Sequence, residues 1–391
     1  MEQQYAQKAI DAVNLNVAAY CKFLSANDTG VTGSHQSGIL LSKSAYSIAF
    51  DNPGEKGNNV DHWAEICWQD DFVTKSRFIY YGQGTRNEYR LTNFGRGFPF
   101  LTPDYTGALF VLVKRDVDFY NAYVLNTEDD IDAFLGAFAL TPEDTNKLIS
   151  KSLSSFETAE AKAINSFISN LTVSFPSSEE VAEAARHIQN SVYNHIELVE
   201  ANPDLKLVQW IQTEFNLFKA LEHRCYGAQI AAGFSSVDLF VALANEVLNR
   251  RKSRAGKSLE HHLAALFDYN GLAYSAQAVT EGNKRPDFIF PSTEAYHNAD
   301  FPVEKLISLA AKTTCKDRWR QIINEANRLR NHPKYLCTLQ QGISPAQLDE
   351  MEQEQVVLVV PKDNLTYFPS NKRDRILTLL DFIKMIKELQ S

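Results

Sequence analysis

Hydrophobic and polar positions change their period once along this chain, and the change divides it in two. From about residue 60 to 125, apolar, aromatic and β-branched residues come in short runs separated by Gly, Asn and Pro, among them Arg77–Tyr81, Leu109–Lys114 and Val117–Val124. Such runs predict the strands of a barrel or sandwich rather than alternating β and α units. The stretch from about 143 to 174, rich in Ser, Thr, Ala and Asn and weakly periodic, reads as a connection. After Pro176 helical spacing takes over. Ser177 and Glu180 have capping-box spacing, and Val181, Ala185, Ile188, Val192, Ile196 and Val199 recur at helical intervals. The pattern then predicts a second helix over 205–222, a third over 236–250, and a fourth with Leu259, Leu263, Leu266 and Phe267 on one face.

Beyond these the order is mixed. Asp287–Phe290 and Leu306–Thr313 read as strands, and a helix is predicted from Asp317 to about Arg330 with Trp319, Ile322, Ile323 and Ala326 on its buried side. Tyr335–Leu339 and Val356–Val360 are apolar strands before a C-terminal helix holding Ile376, Leu380, Ile383 and Ile386. Strands alternating with helices imply a central sheet flanked by helices. The division falls between an N-terminal β-rich domain over 1–165 and a C-terminal α/β domain over 175–391.

Composition narrows the class. The 391 residues are 44% hydrophobic and 22% charged, which excludes a wholly disordered, collagen-like or disulfide-stapled chain. Five scattered cysteines make no CxxC pair or zinc-ligand spacing. No basic start with an apolar run marks a signal peptide, and no apolar stretch reaches the ~20 residues that span a bilayer. The expectation is a cytoplasmic protein with no membrane partner. The net charge of −9 argues against a nucleic-acid partner until its distribution is considered. Residues 250 to 334 hold 15 Lys+Arg and 9 Asp+Glu, a block of +6 that leaves −15 on the remainder.

Inside that block lies the candidate chemistry. Pro286-Asp287 opens a strand, Lys312 stands near the end of the next strand, and Glu325 follows 13 residues later. Two carboxylates supply hard oxygen ligands for Mg²⁺, and a lysine beside a phosphate can orient an attacking water; together they suit metal-dependent phosphodiester hydrolysis. Spacing alone leaves bland readings open: Asp287 a turn residue, Lys312 a solvated strand end, Glu325 a surface helix residue. Lys316, Asp317 and Arg318 open the helix assigned to Glu325, and Arg318 lies two turns before Glu325 on one face if that helix is continuous. In a major groove, Lys316 and Arg318 could meet guanine O6/N7 and Asp317 cytosine N4. The alternative is a capped helix with solvated neighbours.

At these residues the sequence resembles the EcoRII family of restriction endonucleases. The matching segments are NRRKSRAGKSLE (249–260), TEGNKRPDFIFPS (280–292), AYH (295–297), FPVEKL (301–306) and AKTTCKDRWRQIINEA (311–326). LSANDTGVTGSHQ (24–36) and TRNEYRLTNFGRG (85–97) resemble that family's N-terminal DNA-binding domain. The resemblance implies a catalytic domain of PD-(D/E)xK restriction-endonuclease-like fold behind a β-rich, B3-like pseudobarrel. It further implies a type IIE homodimer, joined through the C-terminal domain, that cuts CC(A/T)GG with Mg²⁺ and binds a second copy of the site as effector. By position, Asp287 and Glu325 would bind the metal, Lys312 would be the catalytic lysine, and Lys316, Asp317 and Arg318 would read C·G pairs. Arg86, Asn87, Glu88, Arg90 and Arg96, with Lys22, Asn27, Thr29 and His35, would contact effector DNA. The (D/E)xK form expects an acid two residues before the lysine, where this chain has Ala310, so the family variant takes that acid from Glu325. Glu260 could also approach the metal or be an ordinary exposed helix residue, and Tyr296 and His297 could pack or touch phosphate. Rival readings are a catalytically degenerate two-domain DNA-binding regulator and an RNA-directed or repair nuclease on the same fold.

Overall fold

Alternation along the strands of the first half sends side chains into two cores. The computed structural model describes residues 5–16, 18–31, 38–138, 140–149, 159–316 and 319–391. Two units result: residues 1–151 with 340–351 and 366–374, and residues 152–339 with 352–365 and 375–391. The first holds β1 (Ala18–Phe23), β2 (Ile39–Leu41), β3 (Val60–Trp68), β4 (Val73–Tyr81), β5 (Glu88–Thr92), β6 (Leu109–Asp116), β7 (Phe119–Leu125) and β8 (Lys147–Leu148). They form one sheet in the order β2-β5-β4-β3-β7-β6-β1-β8, antiparallel throughout except for the parallel pair β3/β7. On β6, Phe110 and Leu112 join a core with Tyr20, Ile39, Ala64, Phe78, Tyr89 and Tyr120, one residue or more from each of β1 to β7. The intervening Leu109, Val111 and Val113 face Ala9 and Val13 of helix Tyr5–Leu15, and Ile131 and Phe134 of helix Glu128–Ala137. A sheet in which β1 to β7 share one core must curl around it, which favours the barrel of the two forms, barrel or sandwich, that the pattern predicts. The strand expected from Val117 starts at Phe119, because Val117 and Asp118 make the turn out of β6.

The second unit begins with helices. The stretch read as a connection carries helix Ala159–Ser169 as well as β8. Helix Ser178–Tyr193 opens with the Ser177/Glu180 capping box as expected, but stops where Asn194 turns left-handed (φ 50°), so Ile196 lies outside it. The helix expected over 205–222 runs from Pro203 to Ala232. The third and fourth predicted helices are one, Val237–Tyr269. The basic stretch between them stays helical and packs on the neighbouring helix: Arg251 Nε lies 2.7 Å from Glu222 Oε1, and Arg254 stacks over Phe215 and Phe218.

Six strands follow: β9 (Ser275–Ala276), β10 (Phe288–Phe290), β11 (Ile307–Lys312), β12 (Lys334–Thr338), β13 (Val356–Val360) and β14 (Leu377–Thr378), in the order β14-β13-β12-β11-β10-β9. β9, β10 and β11 run antiparallel, whereas β11 to β14 run parallel. Phe288 and Phe290 pack with Leu309 and Ala311 against Leu263 and Phe267 of the long helix and Phe382 of helix Leu379–Gln390. Ile289 faces the other way, with Tyr296, Ala326 and Leu329. The sheet is thus covered on both faces, and its β10–β11 pair carries Asp287 and Lys312 at adjacent ends. Among the described residues no helix is long and apolar enough to cross a membrane.

Candidate active site

Antiparallel pairing of β10 with β11 sets Phe288 opposite Leu309, which brings Asp287, one step before β10, level with the end of β11. Asp287 is 7% exposed, and both its carboxylate oxygens accept hydrogen bonds. Its Oδ2 accepts the Ala311 backbone N–H at 2.7 Å and lies 3.1 Å from Lys312 Nζ. Its Oδ1 accepts from the Gln277 amide at 3.0 Å. The same amide nitrogen donates to Glu260 Oε2 at 2.9 Å, and Lys257 Nζ stands 3.1 Å from that oxygen. Glu260 is therefore joined through Gln277 to the Asp287 cluster. Burial raises the Glu260 carboxyl above its ordinary pKa, and the Asp287 charge adds to the rise.

Glu325 reaches the same cluster by a different route from the one expected. The helix predicted over 317–330 is only Trp319–Ile322, followed by turns and a single 3-10 turn at Asn327–Leu329. The backbone groups that would extend it are taken by side chains from elsewhere. Lys334 Nζ donates to the Ile323 carbonyl, Lys284 Nζ to that of Asn324 at 2.6 Å, and Thr280 Oγ1 to that of Glu325. The amides of Asn327 and Arg328 donate to the Glu281 carboxylate at 3.1 and 3.2 Å. Glu325 thus sits on a bend, and the two-turn alignment with Arg318 along one helix does not exist. Burial raises its carboxyl; Lys312 opposes the rise and Asp287 reinforces it.

The donor set suits a hard divalent cation. Among the described residues no three His, Cys, Asp or Glu side chains close on one point as a complete cage. Mg²⁺ needs no such cage, since it keeps several waters and takes one or two carboxylates. Asp287 repels both Glu260 and Glu325, an accumulation of negative charge that a cation would offset.

The profile described as "EcoRII C terminal" matches residues 218–383, and "Restriction endonuclease EcoRII, N-terminal" matches residues 13–147. The type II restriction enzyme EcoRII of Escherichia coli is 39% identical over 94% of this chain and 93% of its own length. The chain belongs to the EcoRII family of type II restriction endonucleases. Membership makes it a site-specific deoxyribonuclease, with an α/β PD-(D/E)xK catalytic domain behind a β-rich domain. The type II restriction enzyme SsoII of Shigella sonnei is 27% identical over 38% of the chain and 50% of its own length. A structure of metal-depleted Ecl18kI with uncleaved, modified DNA superposes with a TM-score of 0.46 at 19% identity, covering 60% of this chain and 85% of the other.

The remaining EcoRII-family positions scatter more widely. Lys316 is buried in the turn before Trp319, while Asp317 and Arg318 lie outside the described residues. Tyr296 is buried, donating its hydroxyl to Glu281 at 2.8 Å, and His297 Nε2 lies 2.9 Å from the Val279 carbonyl. Both therefore serve the loop that braces Asn327 and Arg328. In the N-terminal domain Lys22 is buried, with Nζ 2.7 Å from Asp28 and 2.9 Å from the Leu40 carbonyl, and Thr29 is buried against Thr106. Asn27 is half-buried, and His35 lies outside the described residues. Arg90 is buried beside Glu88 (3.0 Å), and Asn87 accepts from Tyr80. Arg86, stacked over Tyr81, and Arg96 are exposed. Sequence reasoning missed Gln277 and Glu281: β9, with two residues, is too short for a periodic signal, and Glu281 acts through backbone amides.

Proposed function

We propose that the chain makes Mg²⁺-dependent double-strand cuts at a CC(A/T)GG-like site, with Asp287 and Glu325 as metal-binding carboxylates and Lys312 as the catalytic lysine. The observation that carries this reading is the Asp287 carboxylate, fixed by the Ala311 amide and Lys312 on one oxygen and by Gln277 on the other, with Glu325 within its electrostatic reach. A bound divalent cation would lower the pKa of a coordinated water and neutralise charge in the transition state. Lys312, tethered at the end of β11, is placed to orient a water or meet a phosphate oxygen, and its contact with Asp287 keeps the ammonium in position. Lys316, Asp317 and Arg318 read C·G pairs through the donor and acceptor pattern of the major groove, which requires Lys316 to leave its buried position in the turn before Trp319. A near-palindromic site is matched by a homodimer, one subunit per half-site, joined through the C-terminal domain.

The N-terminal domain (1–165) binds a second copy of the site as effector, and the nuclease domain (175–391) cuts. Exposed Arg86, Asn87 and Arg96 supply contacts to effector DNA, and His35 is assigned to them by the family resemblance alone; Lys22, Asn27, Thr29, Glu88 and Arg90 shape the surface that presents the exposed three. The protein acts on DNA in the cytoplasm. The complete Asp287, Lys312 and Glu325 set favours this reading over a degenerate DNA-binding regulator. The test is plasmid cleavage with Mg²⁺ or EDTA, using wild type and Lys312→Ala. Wild type cuts only with Mg²⁺, and Lys312→Ala fails to cut while still binding the site in metal-free buffer. Normal cutting by the variant, or loss of its site-specific binding, contradicts the role given to Lys312.

A further inference from the structure

Gln277 follows β9 and stands opposite Asp287 in the sheet, its backbone N–H donating to the Asp287 carbonyl at 3.0 Å. Its φ of 51° is left-handed, a conformation uncommon for a residue with a side chain. Strain of this kind persists where surrounding contacts enforce it. Here they do: one amide nitrogen donates to Glu260 Oε2 at 2.9 Å and to Asp287 Oδ1 at 3.0 Å, joining a long helix to the head of β10. Both acceptors are carboxylates, so without a donor between them their charges would drive them apart. The other Asp287 oxygen is already committed to Ala311 and Lys312, so the amide fixes the remaining freedom of that carboxylate.

We propose that Gln277 is a positioning residue of the cleavage centre, its amide holding the Glu260 and Asp287 carboxylates at a set separation that prepares them for a divalent cation. The inference rests on the reading of the Asp287 cluster as that centre. It is tested on the full-length protein with Gln277→Ala and Gln277→Gly, titrating Mg²⁺ and recording two half-saturation points: the cleavage rate on site-bearing plasmid, and the Mg²⁺-induced rise in Tm without DNA. Glycine accepts the left-handed backbone, so any loss it shares with alanine belongs to the amide.

Both variants require about 10-fold more Mg²⁺ or higher in each readout, the cost typical of removing a group that orients a metal ligand. Their metal-free Tm falls, because the repulsion between Glu260 and Asp287 is then unopposed, so each variant's Mg²⁺-induced rise is read from its own metal-free baseline. In a Glu260→Gln background, where one of the repelling charges is gone, Gln277→Ala shifts the Tm half-point by less than about twofold. Wild-type Mg²⁺ dependence in Gln277→Gly, or an equal shift with and without Glu260, overturns the inference. If Lys312→Ala is inactive and Gln277→Gly behaves as wild type, the cleavage centre stands and only the role of Gln277 falls. If Lys312→Ala cuts normally, both fall.

Discussion

Asp287 accepts hydrogen bonds from the Ala311 amide, Lys312 and Gln277, and of these donors only Lys312 is picked out by spacing in the sequence. The carboxylates and the lysine were legible because their residue types carry the chemistry. The amides that aim them were not, since their role arises from strand register. Glu325 shows the converse: it lies within electrostatic reach of Asp287 and Lys312, but the helix expected to carry it stops at Ile322. The apolar positions 319, 322, 323 and 326 repeat at helical intervals, yet the carbonyls of 323 to 325 bond to Lys334, Lys284 and Thr280, and the amides of 327 and 328 to Glu281. Arg318→Ala is expected to cost about 1–3 kcal/mol at one base pair of the target. Binding constants across single-base site variants check this; a uniform loss for every sequence would mark a phosphate contact.

The two long helices, Pro203–Ala232 and Val237–Tyr269, carry buried charge between them. Glu214 Oε2 lies 2.8 Å from His262 Nε2 and accepts from Ser258 at 2.9 Å, with both ionisable side chains almost wholly enclosed. Their bland appearance in the sequence is physical: a polar residue on an apolar stripe reveals a partner only when the second helix is aligned. For the same reason the one long helix read as two. Glu214→Ala removes the acceptor of Ser258 and the carboxylate that faces His262, at a cost of about 2–3 kcal/mol, measurable as a lower urea midpoint. Burial pushes His262 below its usual pKa, outweighing Glu214. The unfolded chain therefore binds that proton more readily, so the associated stability is present above about pH 6.5 and is lost as pH falls from there toward the folded value. The midpoint should decline on acidification, and less steeply in His262→Gln.

On the scale of the molecule, charge is the quantity that misleads when averaged. A chain of net −9 carries its +6 block, residues 250 to 334, on the segment that holds Asp287, Lys312 and Glu325. The change in hydrophobic period marks a β-rich and an α/β half, because each half must bury its own core by its own repeat. What periodicity could not show is that segments 340–351 and 366–374 group with the first unit. If the N-terminal domain restrains the nuclease until effector DNA binds, removing residues 1 to about 170 should let the protein cut a single-site plasmid without a second site in trans; unchanged dependence would refute the restraint. Whether this chain cuts duplex DNA at its own sequence is decided by sequencing the ends of a plasmid digested with Mg²⁺. The expectation is one recurrent CC(A/T)GG-like site, cut before the first C on both strands. Ends without a shared sequence, or an uncut plasmid, would contradict it.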